Sequence, residues 1–241
     1  MKFDRGFHNA RLGRKLAIVA TACFGISGLA QGASISIANA GFEDIILADG
    51  GFNVAVSQWT VTDGGTWNPT IAEYPGEAPE GQNVAFLGSV SGATTGVLQQ
   101  TLATTFAAGL QYTLSALIGD RLDMTLPTFR IGLWADGVLV STGGLVTAQS
   151  DPRIPADGGF GTVTASVVAD AAIAGKAIEI KLEAFLADPP LVLDLDPVAQ
   201  ISFDNIQLSS AVVPLPPALL LFGSALAMLL RRRGRGVRNG R

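Results

Sequence analysis

Two short acidic motifs, far apart in the chain, offer its plainest chemistry. Asn39-Ala40-Gly41-Phe42-Glu43-Asp44 follows a first alternating run, and Ser202-Phe203-Asp204-Asn205-Ile206 lies in the last one. In that last run Ile201 and Phe203 share one parity, whereas Ile206 and Leu208 take the other. The phase change predicts a β-bulge at Asp204-Asn205. A bulge can turn a carboxylate and backbone carbonyls toward one point, and calcium takes roughly six to eight oxygens of that kind. Glu73, Glu77 and Glu80 cluster in EYPGEAPEG. They leave a two-carboxylate glycoside hydrolase open, although a Pro/Gly-rich run reads first as a solvated loop. His8 is the only histidine and Cys23 the only cysteine. Both fall in a leader described below, so the central region holds no Ser-His-Asp triad, His-bound zinc, thiol nucleophile or disulfide. Trp67, Tyr74 and Trp134 form a different kind of candidate. Exposed on a sheet face or in a loop, their rings could stack on sugar rings as a glycan platform, whereas Trp59 reads as core.

The elements that must position these residues are strands. Tyr112, Leu114, Ala116 and Ile118 share one face, as do Phe129, Ile131, Leu133 and Ala135, and again Ile178, Ile180, Leu182 and Ala184. That period of two marks half-buried strands. Further strands are expected at 34–38, 58–62, 82–88, 97–102, 138–142, 162–168 and 200–208. Asp136-Gly137 has the residue types of a two-residue hairpin turn. Segments 64–81, 142–161 and 186–198 read as loops. Trp134 has the opposite parity to Phe129 and Leu133, so it is expected to face away from the main core. Roughly ten short strands with Gly-rich turns predict an all-β, two-sheet antiparallel sandwich of jelly-roll type.

Both ends of the chain differ in composition from this region. Residues 1–15 carry five basic side chains against Asp4, residues 16–29 are apolar, and Ala30-Gln31-Gly32-Ala33 supplies small residues for cleavage. That is the layout of a secretory signal peptide. At the other end Pro214, Pro216 and Pro217 lead into an apolar run over 218–230, which Arg231, Arg232 and Arg233 follow. Counted from Ala211, the apolar stretch is 20 residues long, enough to cross a bilayer with the arginines left on the cytoplasmic side. The expected organisation is a signal peptide over 1–33, a β-sandwich over 34–210 and a membrane-spanning tail over 211–241. Of the 16 basic residues only Arg121, Arg130, Arg153, Lys176 and Lys181 remain in the sandwich, against 19 of the 20 acidic ones. So acidic a domain excludes nucleic acid as a partner and is compatible with divalent cations.

Val213-Pro214-Leu215-Pro216-Pro217-Ala218, the apolar run and the arginines resemble the PEP-CTERM class of sorting tails in its VPLPA variant. That likeness implies an exosortase-type membrane protease as partner, and a cell-surface or extracellular destination after processing. The N-x-G-F-E motif together with the F-D-N-I strand resembles carbohydrate-binding-module jelly rolls. Carried over, Glu43 and Asp204 are the implied calcium ligands, with Asn39 and Asn205 as further candidates, in a structural site joining first and last strands. The order NAGFED, WNP, APEGQNVAFL, YTLSALIGDR, FRIGLWADGVLV and SFDNIQL is also similar to a group of exported bacterial sandwiches that includes the calcium-dependent Stig cyclases. In those enzymes the resemblance implies an aromatic pocket and an Asp general acid near the last strand. Where the cyclases carry D-F-D-D, this chain has Ser202-Phe203-Asp204-Asn205, which puts Ser202, a residue unable to protonate a substrate, at the acid position. The expected function is therefore a non-enzymatic, glycan-binding envelope or extracellular-polysaccharide protein, exosortase-processed and calcium-stabilised. The alternative is an enzyme on the same sandwich, either a glycoside hydrolase or a Stig-type cyclase. Deleting 213–241 is expected to release the protein from membranes in fractionation. Membrane association that survives both the deletion and a high-salt wash would show that another segment anchors it.

Overall fold

The apolar and polar alternation read from the sequence is what the strands bury. A computed structural model describes residues 32–88, 95–146, 151–185 and 199–213. Among them there are thirteen strands: β1 (Ala33–Ile35), β2 (Phe52–Asn53), β3 (Thr60–Thr62), β4 (Gly64–Trp67), β5 (Val84–Gly88), β6 (Thr95–Thr105), β7 (Leu110–Asp120), β8 (Thr128–Ala135), β9 (Val138–Leu139), β10 (Leu145–Val146), β11 (Gly159–Val168), β12 (Ala177–Phe185) and β13 (Gln200–Val212). They form two antiparallel sheets. One runs β11-β7-β13-β5-β4-β2 with β1 added on β13, and the other runs β10-β8-β12-β6-β3 with β9 added on β8. The long strands β6, β7 and β8, and again β11, β12 and β13, alternate between sheets, the crossing pattern of a jelly roll. The three alternating faces named above all enter the single core between the sheets, with Phe203, Ile201 and Leu98.

The sandwich is an all-β, two-sheet structure as expected, with three additions. β2, β4 and β10 were not foreseen, and Trp67 lies in β4 rather than in a loop. Asp136 and Gly137 both have positive φ, 51° and 75°, as the tight turn between β8 and β9 requires. The strands run from Ala33 to Val212, slightly beyond the expected 34–210. Among the described residues no helix is long and apolar enough to cross a membrane. The leader over 1–31, and the sorting residues Pro214, Leu215, Pro216, Pro217, Arg231, Arg232 and Arg233, lie outside the described residues.

β13 is the strand on which the site depends. It pairs with β7 along most of its length. On its other edge it pairs first with β5, from Gln200 to Phe203, and then with β1, from Leu208 to Ser210. Between these two partners the register shifts at Asp204–Gln207, and Asn205 has φ 47°. This is the bulge that the parity change predicts. There the Ile206 amide donates to the Ala40 carbonyl at 3.0 Å, so the loop after β1 supplies the bond the ladder lacks. Phe203, fully buried just before the bulge, is expected to cost about 3–5 kcal/mol when truncated to alanine. Urea unfolding of Phe203→Ala checks this; a loss below about 1 kcal/mol would mean the core repacks around the gap.

Candidate functional site

Because Ile201 and Phe203 point into the core, Gln200, Ser202 and Asp204 face the other side of the seven-stranded sheet. Strand register aligns Gly65, Phe86, Ser202, Gly119 and Phe160 in one row across β4, β5, β13, β7 and β11. Ser202 and Gly119 are small and sit between two phenylalanines, which leaves a dent in the sheet face. The Tyr74 ring lies in it, with centroids 4.6 Å from Phe160 and 6.0 Å from Trp67. A Cβ on Gly119 would stand 2.7 Å from the Tyr74 hydroxyl and 2.5 Å from Phe160, so only glycine admits this arrangement. Trp67, Tyr74, Val84 and Phe86 make a second apolar cluster, separate from the main core. Beside it Phe52, Trp67, Phe86, Arg121 and Gln200 line an open cleft of ≈ 240 Å³. The Arg121 guanidinium lies 4.4 Å over the Trp67 ring and is held there by Gln200 and Asp123, each at 2.9 Å.

The buried hydroxyls of Tyr74 and Ser202 lie against each other, and Ser202 is the side-chain hydrogen-bond partner of the phenol. Burial pushes the Tyr74 phenol well above its ordinary range. Ser202 and Arg121 oppose the rise, and Asp120 and Asp123 add to it.

Asp204 is fully buried at the bulge and accepts from the amides of Glu80 and Asn205, at 2.9 and 2.6 Å. Burial lifts its carboxyl to about 7; the two amides oppose this, and the charges of Glu80 and Glu43 reinforce it. Glu43 accepts from the amides of Gln82 and Asn83 at 2.9 and 2.8 Å. Asn83 donates to the Ile45 carbonyl, while its own Oδ1 is buried without a partner. Backbone amides thus tie the carboxylates of Glu43 and Asp204 to the 80–83 segment around the bulge. Among the described residues no three acidic side chains stand together closely enough to hold a metal by themselves. In kind, however, the group suits a hard cation: all-oxygen donors, unfavourable mutual repulsion and one orphaned amide oxygen. Asn39 and Asn205 are spent elsewhere. Asn39 bonds Ser57 and the Asp44 amide, and Asn205 accepts from Gln207.

A second recess of ≈ 350 Å³ lies on the far side of Arg121, lined by Asp120, Thr125, Ile154, Pro155 and Asp157 among others. Asp120, at the end of β7, is buried, and its carboxyl is raised to about 6, by burial first and then by Asp157.

An exposed stacking platform is not what the three aromatic candidates form. Trp67, Tyr74 and Trp134 are all buried. The loop carrying Tyr74 folds its ring inward, and β4 inserts Trp67 into the sheet. Trp134 does face away from the main core, as its parity implies, but Arg130 and Lys181 lie over it at 5.6 and 5.4 Å. Glu73 serves the turn at Thr70 and lies 3.9 Å from Arg121. Sequence reasoning missed Phe86, Phe160, Asp120, Arg121, Asn83 and the role of Glu80. The alternation of β13 already placed Ser202 and Asp204 on one face; which strands flank them is a matter of register that no local pattern carries.

A two-sheet antiparallel sandwich with an aromatic cleft on an outer face and a bulged last strand defines the class: a jelly-roll β-sandwich protein. Residues 33–209 match the HpiC1-like family, described as HpiC1 cyclase, and the chain belongs to that family. Among solved structures it is similar to an apo-form cyclase from Fischerella sp., at 21% identity over 76% of this chain and 98% of the other, with a TM-score of 0.63. It is likewise similar to the Stig cyclase Fisc from Fischerella sp. TAU in complex with (3Z)-3-(1-methyl-2-pyrrolidinylidene)-3H-indole, at 22% identity over 76% and 100% with a TM-score of 0.61. At such identities the likeness is one of fold. No curated protein matches the chain.

The raised Asp120 pKa has a sign. A carboxyl that binds its proton more tightly in the folded state stabilises the fold at low pH. That contribution fades as pH climbs from the unfolded value near 4 through about 6. Asp120→Asn is therefore expected to gain stability relative to the parent between pH 4 and pH 7. Melting of the two proteins across that range checks it, and parallel curves would mean the carboxyl is better solvated than its burial implies.

Proposed function

We propose that this protein is an enzyme of the cyclase type, acting on a small, flat, largely apolar molecule bound in the cleft of Phe52, Trp67 and Phe86. What carries the reading is the family match across the whole sandwich, joined to an aromatic cleft on the outer face of the seven-stranded sheet. An indole-type ligand is carried over from the Fisc complex. The cleft lining has no acid, and Ser202 beside it cannot serve as one. Of the two carboxyls raised toward neutral pH, Asp204 is given to the ion in this reading, which leaves Asp120 to exchange a proton. It lies across Arg121, whose side chain borders both recesses. Glu43, Glu80 and Asp204, with the orphaned Asn83 oxygen, would hold a calcium ion whose charge offsets theirs and fastens the first loop to the last strand. Export by the leader and anchoring by the tail, with an exosortase-type protease as partner, belong to the same reading.

A second reading is favoured by one observation. An uncharged hydroxyl, Ser202, stands in the row of residues beside the cleft, which suits a protein that binds its ligand, a glycan or a flat apolar molecule, without changing it.

The test uses the full chain with calcium and an indole carrying an unsaturated side chain. Formation of a new ring is expected, with Asp120→Asn losing about a hundredfold or more in rate. Ligand recovered unchanged at saturation would favour the binder. Calcium at a hundredfold excess over its dissociation constant should add about 2.7 kcal/mol of stability, read as a higher Tm than in chelator. Equal melting in both buffers would remove the ion from the account.

A further inference from the structure

Every positive side chain among the described residues already has an acid. Arg121 pairs with Asp123, Arg130 with Glu183, Arg153 with Asp151, Lys176 with Asp136 and Lys181 with Glu179. Asp120 is left without one. It ends β7 with the inward parity of Ala116 and Ile118, and it is only 6% exposed. Its backbone carbonyl accepts from the Gly158 amide at 2.7 Å. Among the described residues, however, no donor reaches its carboxylate. Asp204, the other acid buried this deeply, differs in accepting from two amides.

An ionised carboxylate buried with neither donor nor counter-charge is costly. Here a second acid adds to the cost. The Gly158 turn and the pairing of Gly159 with Asp120 bring Asp157 to the same recess, where it is exposed. The recess that both acids border measures ≈ 350 Å³, more than ten times the roughly 30 Å³ that one water occupies in the liquid. Its neighbouring cation, Arg121, turns its fork to Asp123 and Gln200.

Two carboxylates set the sign of what belongs there. Calcium takes roughly six to eight oxygens, and no three acids among the described residues stand close enough to hold a metal. A primary ammonium group carries three N–H donors. Asp120, Asp157 and Thr125, all on this recess, match that number, and Met124, Ile154 and Pro155 bound the room left for a short carbon chain. We propose that the recess between Asp120 and Asp157 is a binding site for a small primary ammonium ligand, with Asp120 as its buried counter-ion. The site lies across Arg121 from the aromatic cleft and binds without turnover, so it goes beyond the cyclase reading. An ammonium held there keeps Asp120 ionised and inhibits any reaction that takes its proton from that residue.

Isothermal titration of the full chain with n-butylamine tests it, at about pH 7.5 and in saturating calcium so that any ion site is already filled. One equivalent is expected to bind. The uncharged n-butanol, and tetramethylammonium, which has no N–H, should each bind about tenfold or more weakly. Asp120→Asn should lower the affinity for butylamine about tenfold or more. Asp157→Asn, a change at an exposed position, should lower it several-fold, and Glu77→Gln, an exposed acid elsewhere, should leave it unchanged. The proposal is overturned if butylamine binds no tighter than butanol or tetramethylammonium, or if both Asn variants bind it as the parent does. It is overturned equally if Glu77→Gln weakens binding as much as Asp120→Asn, because the attraction is then that of an acidic surface at large. Ring formation without amine binding would count against this site alone, and amine binding without ring formation against the catalytic reading alone.

Discussion

A single strand with two different neighbours on one edge governs this molecule. β13 must be hydrogen-bonded on both sides because it runs through the middle of the seven-stranded sheet, and an unpaired buried amide or carbonyl is expensive. β5 serves only its first part and β1 only its last. The chain bridges the gap with a bulge and with the loop after β1, whose Ala40 carbonyl accepts from the Ile206 amide, while the Asp204 side-chain carboxylate at the bulge accepts from the Glu80 amide. Everything of chemical interest follows from that repair. The loop that completes the ladder carries Glu43, which Asn83 holds, and the segment that ends at Glu80 reaches Asp204 and brings Tyr74 over the sheet.

The same repair separates two kinds of burial. Asp204 is an acid placed where water cannot reach it and two further acids are near, so its proton is held to about pH 7 unless a cation takes its place. Tyr74 and Ser202 are neutral and their burial carries a smaller penalty. Both sit on one face of one sheet, while the core behind them is largely apolar, with Gln100 among its inward positions satisfied by Ala38 and Gln58. A fold tolerates concentrated local cost of this sort when the rest of the packing is consistent.

How much of this the sequence revealed depended on whether a feature was local. Period-two alternation identified the core faces of β7, β8 and β12 residue by residue, because their inward positions are apolar up to Asp120 at the end of β7. The Asp136-Gly137 turn was legible from its residue types. The bulge at Asp204-Asn205 showed as a change of parity, since an inserted residue flips every later side chain to the opposite face. Phe160 was hidden because it begins β11 at the end of a Gly- and Pro-rich stretch that reads as loop. Trp67 and Tyr74 looked exposed because their neighbours are glycine and proline; their burial comes from β4 pairing with β5 and from the dent at Gly119, both long-range facts. Glu80 matters because its amide meets Asp204, and Asn83 because it meets Glu43 and Ile45, all far away in sequence.

The placement of β1 has a mechanical consequence. Ala33 lies opposite Ser210 and Ile35 opposite Leu208, so the two chain ends leave the sheet side by side and in the same direction. A load applied between them would act across the β1–β13 bonds one pair at a time, the geometry in which a ladder yields at the lowest force. Three pairs would part first. β13 itself, paired with β7 up to Val212, would meet the same pull only after β1 had peeled away. Among the described residues, β1 is thus the shortest-held edge of the strand on which the site depends.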